Sequence, residues 1–330
     1  MVRNIMADQR RIIKAGEPAH QVLMPLLYFD IFSHPLTLEE IYHFCHRSDW
    51  DRAILKKTLE HLIDEGCIYQ YEGFYLTQDK PEWVEKRKQN NRRADHYLKK
   101  AHQMTQLIRR FPFVEGVLLS GSLSKHVMPE NGDIDYFIIT RPGRLWIART
   151  LLVLFKKIFL LNSHKYFCVN YFIDMDHLEI EEKNRFTATE IATLLPLNNP
   201  DLYRAFVAAN GWVSEYYPHF RLRPTHELAN RRKSLVQRLG EGLLHGKLGD
   251  HLDRILMRRT LHYWQHKFKL LDPNRFAIAL KSRRYVSKHH PQDFQQRVLR
   301  AYMGAISEFE NRNHLKLENL DVWQLKEGNV

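Results

Sequence analysis

The chain has 330 residues, 44% of them hydrophobic, and 50 Lys and Arg against 38 Asp and Glu. That length accommodates two or three domains around a substantial core, and the even composition excludes low-complexity and repeat proteins. Three cysteines, Cys45, Cys67 and Cys168, are odd in number and lack metal-ligand spacing, which predicts a reduced, cytoplasmic setting.

The opening residues, MVRNIMADQRRIIKAG, read as a basic lead-in without the apolar core of a signal peptide. Residues Ala19–Gln78 form a compact pattern. His20–Phe32 is apolar at helical spacing, and Pro35 stops it. Thr37-Leu-Glu-Glu40 is a capping box that starts a second helix. Asp51–Glu65 is a third helix closed by Gly66. Cys67–Tyr71 and Phe74–Thr77 flank Glu72-Gly73, the signature of a hairpin. Three helices followed by a hairpin resemble a winged helix. Its third helix would offer Arg52, Lys56, Lys57 and His61 to DNA. The wing, YQYEGFY, has no Lys or Arg, and Asp49, Asp51, Glu60, Asp64 and Glu65 offset the helix, so scaffolding or dimerisation is the stronger expectation. Lys80–Arg110 then reads as one long polar helix whose sparse apolar positions, Ala94, Tyr97, Leu98 and Ala101 among them, pack along the following domain.

Val114–Leu119 is an apolar run ending in Ser120-Gly121-Ser122. Ten residues later Asp133-Ile134-Asp135 opens a second run, Tyr136–Ile139. Two strands joined by a glycine turn and a short helix would give this pattern. Glycine lets a backbone approach a ligand closely, and a helix start aims free N–H groups at phosphate. Residues two apart on a strand share a face, so Asp133 and Asp135 would crowd together and favour a hard divalent cation, Mg2+ or Mn2+.

Gly121-Ser122, the spacer and Asp133-Ile134-Asp135, with an apolar strand on each side, resemble the signature of the DNA polymerase β-like nucleotidyltransferase superfamily over Phe113–Thr140. The resemblance implies metal at Asp133 and Asp135, and a nucleoside triphosphate cradled by Gly121 and Ser122 with charge added by Lys125. It implies transfer of a nucleoside monophosphate to an acceptor with release of pyrophosphate. The acceptor could be RNA, a protein or a small molecule. Such enzymes place a third carboxylate on the next strand, here Lys165–Asp174. Simple alternation puts Tyr166, Cys168, Asn170, Phe172 and Asp174 on one face. Asn170 stands where an acid is expected, and Asp174 is the acid available on that face. The departure keeps a second reading open: a catalytically degenerate nucleotidyltransferase fold serving as a nucleic-acid-binding or regulatory module.

Arg141-Pro-Gly-Arg144 is a turn into an apolar helix, Arg144–Leu161. Arg141, Arg144 and Arg149 are candidate phosphate contacts. Arg149, Lys156 and Lys157 interrupt that helix, which is too short to span a bilayer, so no membrane partner is expected. Thr187-Ala-Thr-Glu190 reads as a second capping box. From Arg221 to Arg300 there are 19 Lys and Arg against 6 Asp and Glu, so this stretch carries the net charge of +12. Helices Leu228–His245, Leu248–Leu271 and Pro291–Asn311 bear it, and Lys281–His290, KSRRYVSKHH, is its densest part. The excess suits nucleic acid or nucleotide phosphates, with a solvated basic surface as the equal alternative. The expected fold is therefore α+β: a winged-helix-like module (1–79), a linking helix (80–112), a nucleotidyltransferase α/β core with a mixed sheet (113–200) and a mostly helical basic region (201–330).

Overall fold

Local devices fix the N-terminal elements. In a computed structural model describing residues 11–226, 228, 233 and 235–318, β1 (Arg11–Ile13) leads into α1 (Pro18–Asp30), with proline in the first turn, where it costs no hydrogen bond. β2 (Leu36–Thr37) runs directly into α2 (Leu38–Phe44), and the capping box between Thr37 and Glu40 is formed in both directions. Asp51 caps α3 (Arg52–Asp64) by accepting from the Ala53 and Ile54 N–H groups. β3 (Tyr69–Tyr71) and β4 (Phe74–Leu76) join through Glu72 and Gly73, whose φ angles of 51° and 80° define a primed hairpin turn. β2, β4 and β3 form a small antiparallel sheet in that order.

The single long helix expected next is α4 (Glu82–Ile108). It bridges two cores. Near its start, the buried Arg87 guanidinium donates to the Pro35 carbonyl and to Glu40. Further on, Ala94, Ala101 and Ile108 are buried against the central sheet, the small residues letting the helix axis come close.

That sheet starts with β5 (Val114–Ser120). A single 3-10 turn (Leu123–Lys125) follows, then β6 (Asp135–Thr140), α5 (Leu145–Phe159) and β7 (Cys168–Asp174). α6 (Arg185–Thr193), β8 (Leu195–Pro196), α7 (Pro200–Ala209) and α8 (Val213–Tyr216) come next. α9 (Leu235–Leu243), α10 (Lys247–Lys267) and α11 (Pro273–Ala279) precede the short strands β9 (Ser282–Arg283) and β10 (Val286–Lys288), and the described chain ends with α12 (Phe294–Arg312) and β11 (Leu315–Leu317). The six strands lie in the order β8-β5-β6-β7-β10-β9. β6 and β7 are parallel and the other pairs antiparallel, so the sheet is mixed and the protein is of mixed α and β class. α5 supplies the crossover that a parallel pair requires.

Three expectations are corrected. The second capping box does not form: Asn184 caps α6 by accepting from the Thr187 N–H, and Glu190 points elsewhere. Residues 201–330 are shared between two cores. β9 and β10 extend the central sheet and α10 packs on α5, while Val298, Tyr302, Ile306 and Phe309 of α12 and Leu315 and Leu317 of β11 complete the core around α1 and α3. The Lys281–His290 stretch is no free basic patch. Lys281 pairs with Glu181 and Glu182, Arg283 with Glu181, and Lys288 is buried against Gln295. The basic lead-in before Arg11, residue 227, and residues 229–232 and 234 of the expected Leu228–His245 helix lie outside the described residues.

Candidate functional site

The β5–β6 pairing sets Ser120 opposite Asp135, so the turn leaving β5 and the carboxylate opening β6 meet at one end of the sheet. Gly121 takes φ +68°, a left-handed conformation. A Cβ there would collide with Asp135 Oδ2 and lie 3.2 Å from its Cγ, so only glycine allows the turn to rest on the carboxylate. Ser122 begins the 3-10 turn without a side-chain cap. The helix expected at this point is only that one turn. Ser124 Oγ and Lys125 Nζ both donate to the Gly121 carbonyl, at 2.8 and 3.1 Å. Lys125 also pairs with Glu190 at 2.8 Å, a residue of α6.

Asp133, Asp135 and Cys168 come together, each offering a ligand atom within 4.8 Å of the others. Burial, then the neighbouring Asp133 carboxylate, pushes Asp135 up to about 7. An Asn170 amide hydrogen bond to Asp135 Oδ1 (2.9 Å) opposes that shift. Burial, with Asp135 and Asp133 alongside, also drives the Cys168 thiol upward. Both shifts have one meaning: the cluster resists holding its full negative charge without a cation. Its donors fit a divalent ion. Two carboxylates are hard ligands, and the sulfur leans the set toward Mn2+, the softer of the two hard ions, rather than Mg2+.

A β-bulge decides what else reaches this place. β6 pairs with β7 as Asp135↔Cys168 and Tyr136↔Val169, but then as Phe137↔Tyr171, so Asn170 is the extra residue. Beyond it the faces exchange. Ile139 and Ile173 follow Asp135 and Cys168 on one face, while Thr140 and Asp174 follow Tyr136 and Val169 on the other. Asp174 is therefore on the wrong face and five residue steps along the strand, about 17 Å. Its carboxylate is engaged by the His177 ring at 2.7 Å and by the Asp176 N–H at 3.1 Å. It is not a third acid of this site. Cys168 and Asn170 stand where one was expected, and Glu190 is the further carboxylate whose charge acts on Asp135.

A cavity of 670 Å³ opens over the cluster. Its walls come from several parts of the chain: Tyr28, Phe29 and His34 of the N-terminal module; Asn90 of α4; Gly121, Ser122, Lys125, Asp133 and Asp135 of the sheet; Phe186 and Glu190 of α6; and His289, His290 and Phe294 near the C-terminus. Sequence reading had not selected Cys168 or Glu190. The thiol had no partner at ligand spacing, and Glu190 looked like a helix cap. No family model matches the chain, and no curated protein or solved structure shows a significant match to it. Function must therefore be argued from this geometry.

Proposed function

We propose that the chain is a metal-dependent nucleotidyltransferase of the DNA polymerase β-like kind. The observation that carries this reading is the contact between the Gly121 turn and Asp135, with Asp133 beside it, at the floor of a cavity large enough for a nucleotide. Asp133 and Asp135 would hold the cation, with Cys168 completing the set. A bound divalent ion would supply charge neutralisation on the phosphates. The chain supplies position. The Gly121–Ser122 backbone approaches the β- and γ-phosphates, and Lys125 adds a positive charge. An acceptor hydroxyl attacks the α-phosphorus, the bond to the bridging oxygen breaks, and pyrophosphate leaves. The hydroxyl proton needs a base, and Glu190 is the carboxylate we assign to it. RNA, protein and small-molecule acceptors all remain within this proposal.

Calorimetric titration with each nucleoside triphosphate, with and without Mg2+ or Mn2+, tests it. Wild type should bind in a metal-dependent way, and Asp133→Asn/Asp135→Asn should not. Equal binding by the double variant removes the metal site.

One observation favours a second reading. The neutral Asn170 amide donates to Asp135 where the resembled enzymes carry an acid, as in a degenerate core that binds nucleotide without turnover. Metal-dependent binding without pyrophosphate release from any acceptor tried would select it. In that case the N-terminal module and the basic C-terminal residues become the nucleic-acid contacts to test, by the salt dependence of RNA and duplex binding.

A further inference from the structure

Of three arginines that follow the carboxylate strand, two are fully engaged. Arg141 pairs with Glu115 and Glu241. Arg144 donates to the Leu244, His245 and Gly246 carbonyls and to Asp250. Arg149 differs. It is 9% exposed, its guanidinium lies 4.7 Å from the Trp264 ring centroid and 5.6 Å from that of Trp146, and it meets no hydrogen-bond acceptor among the described residues. A guanidinium this enclosed, with five N–H donors and no acceptor supplied by the described residues, is open to an anionic ligand.

One further cation, Lys156, and two imidazole rings gather around it. Lys156, two turns further along α5, is 7% exposed, and its Nζ finds only the His164 ring nitrogen at 3.4 Å among the described residues. His164 Nδ1 is 4.0 Å from Cys168 Sγ. The His289 ring packs 4.8 Å from Trp264, and its backbone N–H donates to the Asn170 carbonyl at 2.9 Å. Burial lowers Lys156 and brings Arg149 to about 10. His289 is brought to about 4 by burial, then by the charges of Arg149, Lys267, Lys156 and His164. The carboxylate acting on Lys156 and His164 is Asp133, the same group that a metal would claim. With a cation on Asp133, Arg149 and Lys156 would have room for another anion as their counter-charge.

The strand order says on which flank that anion lies. The Gly121 turn leaves β5, on one side of β6. Arg149 and Lys156 belong to α5, which packs on β7 and β10 on the other side. We infer that Arg149, Lys156 and His289 form a phosphate-binding subsite for the acceptor, so that the acceptor is a phosphate-bearing molecule held opposite the nucleotide across Asp135. The acceptor role rests on the transferase reading; the phosphate site does not. A planar guanidinium fork and an ammonium together suit a tetrahedral dianion.

The test uses the full chain and inorganic phosphate without divalent metal, followed by calorimetry and by Trp146/Trp264 fluorescence. Saturable binding is expected in wild type and in Asp133→Asn. Arg149→Gln and Lys156→Gln, each checked for folding by circular dichroism, should weaken it about tenfold or more. Lys156→Gln carries the test if Arg149→Gln does not fold. Absence of saturable binding in wild type, or unchanged affinity in the folded variants, overturns the subsite. A second arm adds metal and a non-hydrolysable nucleoside triphosphate. Unchanged phosphate affinity supports an acceptor flank, and competitive displacement assigns the cluster to the nucleotide's own phosphates and overturns the acceptor role. Failure of metal-dependent nucleotide binding alone would sink the transferase reading and leave the metal-free phosphate result standing.

Discussion

A methyl group at position 121 would meet the Asp135 carboxylate, so the Gly121 turn and that carboxylate are sterically one unit. The left-handed backbone alone makes Gly121→Ala cost about 1–2 kcal/mol, and the collision must in addition displace either the turn or the carboxylate. The variant should unfold at lower urea and lose metal-dependent nucleotide binding at least about tenfold. A folded Gly121→Ala protein with wild-type binding would mean that the turn does not face the ligand. The glycine, the serine after it and the aspartate pair were all legible in the sequence, because each is a local requirement of a strand–turn–strand unit. Cys168 and Glu190 were not. Their roles come from β7 and α6 being folded against β6, and no spacing along the chain encodes that contact.

At the scale of elements, the bulge at Asn170 is the feature that period-two reading could not see. Alternation carried from Cys168 to Asp174 without a break assigns the acid to the wrong face. The same bulge makes a clean experiment. Asn170→Asp exchanges a donor to Asp135 for a third carboxylate. Without metal at pH 8 it should destabilise the chain by roughly 1–3 kcal/mol through like-charge repulsion and the lost hydrogen bond. It should also tighten Mn2+ binding in calorimetry. Weakened Mn2+ binding would mean that position 170 does not face the cation. The partner that caps α5 was equally hidden, although the helix start at Arg144 was legible. The Trp146 and Ile147 N–H groups, at 2.8 and 3.0 Å, are accepted by Asp253 of α10, more than 100 residues away. Burial raises that carboxyl to about 6, above its ordinary value near 3.9. A carboxyl raised by folding binds its proton more tightly in the folded state. Its stability contribution is thus fully present below about pH 4 and lost as the pH rises through about 6. Urea unfolding at pH 4, 6 and 8 should show wild type losing about 1–3 kcal/mol relative to Asp253→Asn across this window. A constant difference between the two would contradict the shift.

For the whole molecule, charge and topology act together. The excess of Lys and Arg near the C-terminus suggested a basic surface, but folding directs part of it inward: Lys233 to Glu115 and Glu241, Lys281 to Glu181 and Glu182, Lys288 to Gln295. Long-range pairing of this kind cannot be read from a charge count. It also brings the C-terminal residues back to the cavity, which His289 and Phe294 line together with Tyr28, Phe29, Asp133 and Asp135. A ligand filling this space touches several separate parts of the chain and should stabilise all of them. At one hundred times its Kd, metal-bound nucleotide should add about 2.7 kcal/mol, a rise of several degrees in a single thermal transition. Hydrogen exchange should slow at the C-terminal end of α1 and near residues 289–294, as well as at Gly121–Lys125. Protection confined to Gly121–Lys125 would show that the nucleotide leaves the outer walls unengaged. The rest of the cavity would then be available to an acceptor alone.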